Sequence, residues 1–253
     1  WLKAGVLENG VVTVSEQGTG QGAVISPLLA NIYLHYVLDL WANRWRQRAA
    51  TGDMIIVRYA DDFIVGFQHE SHARRFLDEM RERLREFALS LHPEKTRLIE
   101  FGRFAAERRK RCGLGKPETF DFLGFTFICG TTRSGKFQLR RKSRRDRMKA
   151  KLRMIKEELR QRMHQSIPVQ GRWLGRVVRG YFNYHAVPTN ARALDTFRHH
   201  VSDLWRRTLR RRGRKDGITW ERMTQLADAW LPKPIILHPW PSDRFAVTHP
   251  RWE

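Results

Sequence analysis

Two adjacent aspartates, Asp61 and Asp62, lie in the segment MIIVRYADDFIVGFQ at residues 54–68. Carboxylates held this close raise each other's pKa unless a cation lies between them. Mg²⁺ is a suitable cation, because proteins hold this hard ion through one or two carboxylates together with substrate phosphates. The alternative is a turn that binds nothing, since Asp favours turns. Taken alone, the pair favours this alternative, and only the rest of the chain changes that preference.

β-branched and aromatic residues flank the acidic pair on both sides. The apolar residues are Ile55, Ile56, Val57 and Tyr59 before it, and Phe63, Ile64, Val65 and Phe67 after it. Both runs have the composition and length of strands. We therefore predict a β-hairpin whose two-residue turn is Asp61 and Asp62, with both carboxylates presented from a rigid support.

The composition indicates a folded and strongly basic protein. The 253 residues and a hydrophobic content of 41% are enough for one large domain or two modest ones. A net charge of +22 predicts a polyanionic partner, with nucleic acid as the first candidate and an anionic membrane surface as the second. Neither a long apolar run nor a cleavable N-terminal signal supports a membrane partner. Two cysteines, Cys112 and Cys129, are too few for a disulfide framework, so we expect a reducing, cytoplasmic location.

Helical periodicity surrounds the predicted hairpin. Ser26 and Pro27 are typical of a helix entrance, with Ser as N-cap and Pro as the first helical residue. The apolar residues that follow predict a helix with one buried face: Leu28, Leu29, Ile32, Tyr33, Tyr36, Val37, Leu40 and Trp41. A second amphipathic helix is predicted over residues 70–89, with these residues facing inward: Phe76, Leu77, Met80, Leu84 and Phe87.

The charge is concentrated in residues 138–216, which hold 24 Lys and Arg against 6 Asp and Glu. The apolar spacing there predicts helices with an arginine-rich outer face, the first starting at an N-cap Ser143 with Asp146 completing a capping box. The aromatic residues Trp173, Tyr181 and Tyr184 are at helical spacing, which favours a core role over base stacking. The change in charge places a domain boundary near residue 135.

Four stretches occur in a fixed order: GTGQGAVISPLLANIYLH, RYADDFIVGF, LHPEKTRLIEFG and FDFLGFTF. Together they resemble the later palm motifs of reverse transcriptases, and in detail those of bacterial group II intron reverse transcriptase/maturases. The helical segment GRWLGRVVRGYFNYHAVP resembles the thumb, or maturase, domain of the same family. The resemblance covers nearly the whole chain.

The resemblance implies an α+β fold with two domains. Residues 1–135 would be an incomplete right-hand polymerase palm, and residues 136–253 a helical thumb or maturase domain with a proline-rich tail. The implied activity is RNA-directed DNA synthesis with two Mg²⁺ ions, combined with RNA binding that assists splicing and mobility. The implied partners are a group II intron RNA, an RNA template with a DNA primer, and deoxynucleoside triphosphates.

The resemblance also implies roles for single residues in the palm. Asp61 and Asp62 would hold the metal, and Tyr59 and Ala60 would border the primer end and the nucleotide. Lys95 would neutralise or protonate the departing pyrophosphate.

Two further parts of the family's site are implied elsewhere in the chain. Gln21 and Gly22 would shape the nucleotide and template pocket, although Gly20 stands where the family has proline. Gly124 would belong to the primer grip. The residues expected to bind RNA are Arg144, Arg145, Lys149, Arg206, Arg207, Arg210, Arg211 and Arg214.

One expected ligand has no counterpart. Polymerases of this type use a third carboxylate on an earlier strand, and the acids before residue 54 lack that context: Glu8, Glu16, Asp39 and Asp53. We therefore expect a truncated chain that does not extend a primer by itself. A non-catalytic, maturase-like RNA-binding module is the alternative, and an RNA-templated RNA polymerase is a weaker one.

Overall fold

The computed structural model describes residues 6–8, 11–13, 25–212, 218–241 and 243. Two short strands, β1 (Val6–Glu8) and β2 (Val11–Thr13), pair antiparallel with Glu8 opposite Val11. The described chain continues with helices and further antiparallel strands, which confirms the α+β prediction. It divides into two compact units, residues 1–99 and 100–253.

A continuous helical segment follows in the first unit. It consists of α1 (Ser26–Leu34), a π-helical turn (His35–Asp39) and α2 (Leu40–Ala49). Ile25 is the N-cap, so Ser26 lies one position further into the helix than predicted.

The predicted buried face is wrong for α1, which contains no buried residue. Leu28, Ile32 and Tyr33 are exposed, and burial starts at Val37 and Leu38 in the π-helical turn. The reason is that the core of this unit forms where the hairpin and the next helix meet the π-helical turn and α2.

The acidic segment forms the predicted hairpin, with β3 (Met54–Tyr59) and β4 (Asp62–Phe67). It packs against α3 (Glu70–Glu86), whose predicted inward residues Phe76, Met80 and Leu84 are buried. Trp45 of α2 lies edge-on to the rings of Phe67 and Phe76 and donates an indole N–H to Glu79 at 2.8 Å. One face of the hairpin is thereby fixed to two helices.

The second unit starts with a short helix and a three-stranded antiparallel sheet. Its elements are α4 (Ala105–Arg111), β5 (Phe120–Phe122), β6 (Phe125–Thr131) and β7 (Phe137–Ser143), with strand order β5-β6-β7. The helices that follow are α5 (Arg145–Gln161), α6 (Ile167–His185), α7 (Ala191–Arg210) and α8 (Trp220–Trp230). They share one core that contains Ile155, Leu174, Phe197 and Trp205.

A buried polar cluster joins the sheet to the helices. The Ser143 N–H donates to Asn190 Oδ1 at 3.0 Å, and Asn190 Nδ2 donates to Ser143 Oγ at 2.8 Å. Ser143 Oγ also lies 3.2 Å from Nδ1 of His185. Ser143 therefore ends β7 and does not cap α5; the predicted capping box is wrong, and Arg144 is the N-cap.

Two glycines of α6 allow α8 to approach closely. A Cβ at Gly171 would lie 2.5 Å from the Trp230 ring, and a Cβ at Gly175 would lie 2.6 Å from the Trp230 carbonyl oxygen. The contact with the carbonyl is the stricter one, because backbone cannot move aside as a side chain can.

The compact units divide earlier in the chain than the boundary predicted near residue 135. The physical reason is bonding between the sheet and the helices of the second unit: Tyr184 Oη donates to the Leu123 carbonyl at 2.9 Å, and the Arg141 N–H donates to Thr189 Oγ1 at 2.9 Å. The assignment of palm and thumb functions to residues 1–135 and 136–253 stays a prediction.

None of the helices in the described part of the chain is long and apolar enough to cross a bilayer.

Candidate functional site

The acidic hairpin has Asp61 in its turn and Asp62 as the first residue of β4. Tyr59 pairs with Asp62, so the two-residue loop is Ala60 and Asp61. The prediction that both aspartates form the loop is therefore wrong by one residue. The observed register pairs Met54 with Phe67 and Ile56 with Val65, which puts these apolar side chains on the core face together.

Ala60 holds a left-handed backbone conformation, with a φ of 54°. A positive φ at the first loop residue alone is the pattern of a type II′ turn, where Gly is the usual residue. Alanine in this conformation stores about 1–3 kcal/mol of strain, which persists only where surrounding contacts hold it. Strain of this kind is concentrated at functional sites, so it marks the Asp61 turn for attention.

Both carboxylates are accessible. Asp61 and Asp62 are exposed, and neither side chain makes a hydrogen bond or ion pair with another described residue. Ionised carboxylates accept hydrogen bonds or metal coordination and donate nothing. The pair is therefore free to accept an external cation.

The hairpin face that points away from the core is apolar beside the acidic turn. Ile55 and Tyr59 are each 65% exposed and Val57 is 49% exposed, while the alternating residues face the helices. On β4 the residues opposite Ile55 and Val57 are Gly66 and Ile64. Such a surface next to two carboxylates suits a ligand that has both apolar and phosphate parts, such as a nucleotide.

Asp39, an upstream acid of the same unit, is engaged by Arg58. The guanidinium forms a two-pronged contact, with Nε 2.8 Å from Oδ1 and Nη2 2.6 Å from Oδ2. The hydrogen bonds from Arg58 lower the pKa of Asp39 below its ordinary value of 3.8, and Asp39 in turn raises the pKa of Arg58. Both oxygens of Asp39 accept hydrogen bonds from Arg58, so this carboxylate is not free in the way that Asp61 and Asp62 are.

The donor set fits a metal that is shared with a substrate. Within the described ranges, no cluster of three or more His, Cys, Asp or Glu side chains could hold a metal ion. Two free carboxylates are nevertheless the usual protein share of a Mg²⁺ ion that also binds phosphates. Asp61 and Asp62 therefore suit Mg²⁺ that arrives with a nucleotide.

Other predicted palm residues are less constrained by the structure. Lys95 lies on an exposed turn, where its backbone N–H donates to the His92 carbonyl at 3.2 Å. Its catalytic role stays a prediction. Gln21 and Gly22 lie outside the described residues.

Gly124 lies in the tight turn between β5 and β6. Leu123 and Gly124 have φ values of 46° and 76°, and positive φ at both positions is typical of a type I′ turn. Tyr184 holds the Leu123 carbonyl, and the Arg144 N–H donates to the Gly124 carbonyl at 3.0 Å. The predicted primer-grip glycine is thus part of a rigid turn bound to α6 and to the start of α5.

The predicted RNA-binding residues differ in how free they are. Arg144 forms ion pairs with Asp146 and Asp121, while Arg206 and Arg207 both pair with Asp203. Arg206 also lies over the Trp220 ring at 4.4 Å. The remaining described members have no ion pair with described residues: Arg145, Lys149, Arg210 and Arg211. Arg214 lies outside the described residues.

A basic surface on α6 and α5 was missed by sequence reasoning. Arg172, Arg176 and Arg179 recur at helical spacing, are exposed, and make no ion pair with any described residue. They line a groove beside Trp230, and Arg176 also lines a second groove with Arg147 and Lys151 of α5. We call these five residues the α5–α6 basic strip.

A signal for this strip was present in the sequence. Residues 167–185 contain three arginines and no Asp or Glu, so these arginines have no acid on their own helix to pair with. The runs of consecutive arginines elsewhere are more conspicuous but contain or adjoin acids.

Residues 4–127 match the family model described as reverse transcriptase (RNA-dependent DNA polymerase). This range includes the acidic hairpin, Lys95 and Gly124. Comparison with curated proteins gave no match. The similarity supports the palm part of the predicted resemblance and does not extend to helices α5–α8.

Proposed function

We propose that this chain is part of an RNA-directed DNA polymerase and that its acidic hairpin belongs to the polymerase centre. One observation carries the proposal: within a segment similar to reverse transcriptases, Asp61 and Asp62 stand free at the tip of a hairpin that two helices hold. The strained turn at Ala60 adds support, since such strain is concentrated at functional sites.

The chain's own residues supply support and orientation for the reaction. Bound Mg²⁺ would stabilise the attacking and leaving oxygens of an in-line phosphoryl displacement. Asp61 and Asp62 would hold that ion; the turn positions Asp61, and pairing with Tyr59 at the start of β4 positions Asp62. Tyr59, paired with Asp62, presents an exposed ring beside the site on which a nucleotide or primer end can rest.

The second unit would bind the nucleic acid through its unpaired cations. The α5–α6 basic strip follows about 10 Å of the α6 axis from Arg172 to Arg179, enough for roughly three successive phosphates of one strand. An RNA-containing duplex would be held by shape, phosphates and 2′-hydroxyls, not by its sequence.

We further propose that the parent system is a group II intron and that the helical unit also binds the intron RNA as a maturase. Support comes from the segment GRWLGRVVRGYFNYHAVP, which resembles the family's thumb, and from the free arginines that this segment carries on α6. A non-catalytic RNA-binding module remains the second candidate, and the free arginines favour it equally.

DNA synthesis separates the two candidates. The full-length gene product is given Mg²⁺, an RNA template, a DNA primer and nucleotides, and Asp61→Asn is compared with Asp53→Asn. Asp53 is a matched control, because it is an exposed aspartate just before β3, at the other end of the same hairpin. The polymerase proposal expects synthesis to be lost only in Asp61→Asn, with RNA binding retained in both. RNA binding without any synthesis by the wild-type protein would favour the non-catalytic module, and synthesis by Asp61→Asn equal to that of Asp53→Asn would refute the role of the hairpin.

A further inference from the structure

Arg58 occupies an unusual position at the base of the acidic turn. It lies on the core face of β3, three positions before Asp61 along the chain, and its side chain is only 14% exposed. Met54 and Ile56 precede it on the same face and pack into the apolar core. Arg58 is the next residue on this face, so its guanidinium lies at the edge of the apolar core.

The guanidinium joins three separate parts of the first unit. Besides its two contacts with Asp39, Nη1 donates to the Asn31 side-chain oxygen and to the Ala60 carbonyl, each at 2.8 Å. Four of its five N–H donors are thus used. Asn31 lies on α1, Asp39 ends the π-helical turn, and Ala60 begins the loop of the hairpin.

The acceptors around Arg58 are themselves held in place. Asn31 donates its amide N–H to the Pro27 carbonyl at 3.0 Å, which fixes its side-chain oxygen toward Arg58. Asp39 lies 3.5 Å from His35 on the preceding turn. The π-helical geometry that ends at Asp39 is rare and often occurs at functional sites. The group is therefore a rigid frame and not a chance surface ion pair.

The contact with the Ala60 carbonyl is the one that bears on function. Ala60 is the residue with the left-handed backbone, so its conformation needs external contacts to persist. A hydrogen bond from a charged donor to this carbonyl fixes the peptide that links Ala60 to Asp61. The direction of the Asp61 carboxylate depends on that peptide.

We infer that Arg58, oriented by Asp39 and Asn31, is a positioning residue that holds the Ala60–Asp61 turn in the geometry that binds metal. This inference rests on the proposed function for the metal role of Asp61. Asp39 has a second effect, since it neutralises a guanidinium that would otherwise compete with a cation for the nearby carboxylates. Lysine at position 58 would keep the charge and lose the fork that reaches several acceptors at once.

The test compares Arg58→Lys and Asp39→Asn with Arg83→Lys. Arg83 is a matched control, because it is a half-buried arginine of the same unit whose Nε donates to the Val37 carbonyl at 3.3 Å, away from the hairpin turn. Two properties are measured by NMR on the chain: amide hydrogen exchange at Asp61 and Asp62, and paramagnetic broadening of the same amides by Mn²⁺ with dTTP.

The inference expects faster exchange at the turn and about 10-fold weaker apparent Mn²⁺ affinity in both Arg58→Lys and Asp39→Asn, with neither change in Arg83→Lys. Wild-type exchange and Mn²⁺ affinity in Arg58→Lys would overturn it. If wild-type protein shows no Mn²⁺ broadening at Asp61, the proposed function fails, while the exchange rates still decide whether Arg58 holds the turn. A loss of thermal stability equal in all three variants, without a change confined to the turn, would reduce Arg58 to a structural ion pair and also overturn the inference.

Discussion

Helices α3 and α6 use arginine in opposite ways. On α3, five arginines each pair with a different acid three or four positions away on the same helix, so their positive charges are neutralised within the helix. On α6, three arginines lie on one exposed face and no acid is present in the helix. The net charge of a segment does not show which of its arginines can bind a ligand, because that depends on whether each one is already paired with an acid. The comparison indicates that α6 offers cations to a polyanion, whereas the arginines of α3 are already paired.

The largest expected effect comes from neutralising the α6 arginines. Arg172→Gln, Arg176→Gln and Arg179→Gln together should remove three phosphate contacts. The negative slope of log K against log salt should then become shallower by about 2, and RNA binding should weaken roughly 100-fold at 0.1 M salt. Binding is measured by fluorescence anisotropy over a salt series, with single-stranded RNA, an RNA–DNA duplex and DNA duplex of equal length.

The matched control is the equivalent change on α3: Arg74→Gln, Arg81→Gln and Arg85→Gln. These arginines are paired, so their loss should leave the salt slope nearly unchanged. A similar loss of affinity in both triple variants would mean that total charge, and not the α5–α6 basic strip, governs binding.

On the inner face of α6, added side-chain volume should lower the stability of the protein, whereas on the outer face loss of charge should weaken RNA binding. Gly175→Ala should destabilise the protein by about 1–3 kcal/mol, because the added Cβ meets the Trp230 carbonyl at 2.6 Å. Gly180→Ala is the control, since its Cβ meets nothing within 4 Å, and it should stabilise the helix by about 0.5–1 kcal/mol. Urea unfolding measures both. A neutral Gly175→Ala would contradict the close approach of α8.

The one histidine on α6 should make the stability depend on pH. Burial lowers the pKa of His185 from 6.5 to about 4. The unfolded chain therefore binds this proton at higher pH than the folded chain, and stability should fall as pH drops from about 6.5 to about 4, by roughly 3 kcal/mol. Unfolding curves of wild type and His185→Gln across this range test it, and parallel pH profiles would refute the buried neutral histidine.

The smallest effect is expected from the paired arginines of α3. Arg74→Gln removes an exposed pair with Glu70 and should cost only about 0.3–0.5 kcal/mol, less at high salt. Thermal unfolding at low and high salt is sufficient to measure it. A loss above about 1 kcal/mol would show that α3 depends on its ion pairs more than the comparison allows.

Much of the fold could be predicted from local pattern. The alternating residues around Asp61 predicted the hairpin, and the spacing of Phe76, Met80 and Leu84 predicted α3. Both predictions were possible because an element with one buried face has apolar residues at a regular spacing. The prediction of a buried face on α1 was wrong, because periodicity shows that a face is apolar but does not show whether another element covers it. The hairpin loop was misplaced by one residue, since strand register depends on which residues share the core face.

The candidate site was only half visible in the sequence. Asp61 and Asp62 stand out because adjacent acids between apolar runs are unusual. The role of Arg58 was hidden, because its partners Asn31, Asp39 and the Ala60 carbonyl come from separate elements that meet only in the fold. The unpaired state of Arg176 was indicated only in part, by the lack of acids in α6, since pairing with other elements depends on three-dimensional neighbours.

The most direct test of the central claim is the rate of RNA-templated DNA synthesis by the full-length protein as a function of template-primer concentration, measured for Asp61→Asn and for the α6 triple variant. We predict that Asp61→Asn has no measurable synthesis even at saturating template-primer, whereas the triple variant reaches the wild-type maximum rate at a much higher concentration. Synthesis by Asp61→Asn at the wild-type maximum rate would contradict the claim that the acidic hairpin is the polymerase centre.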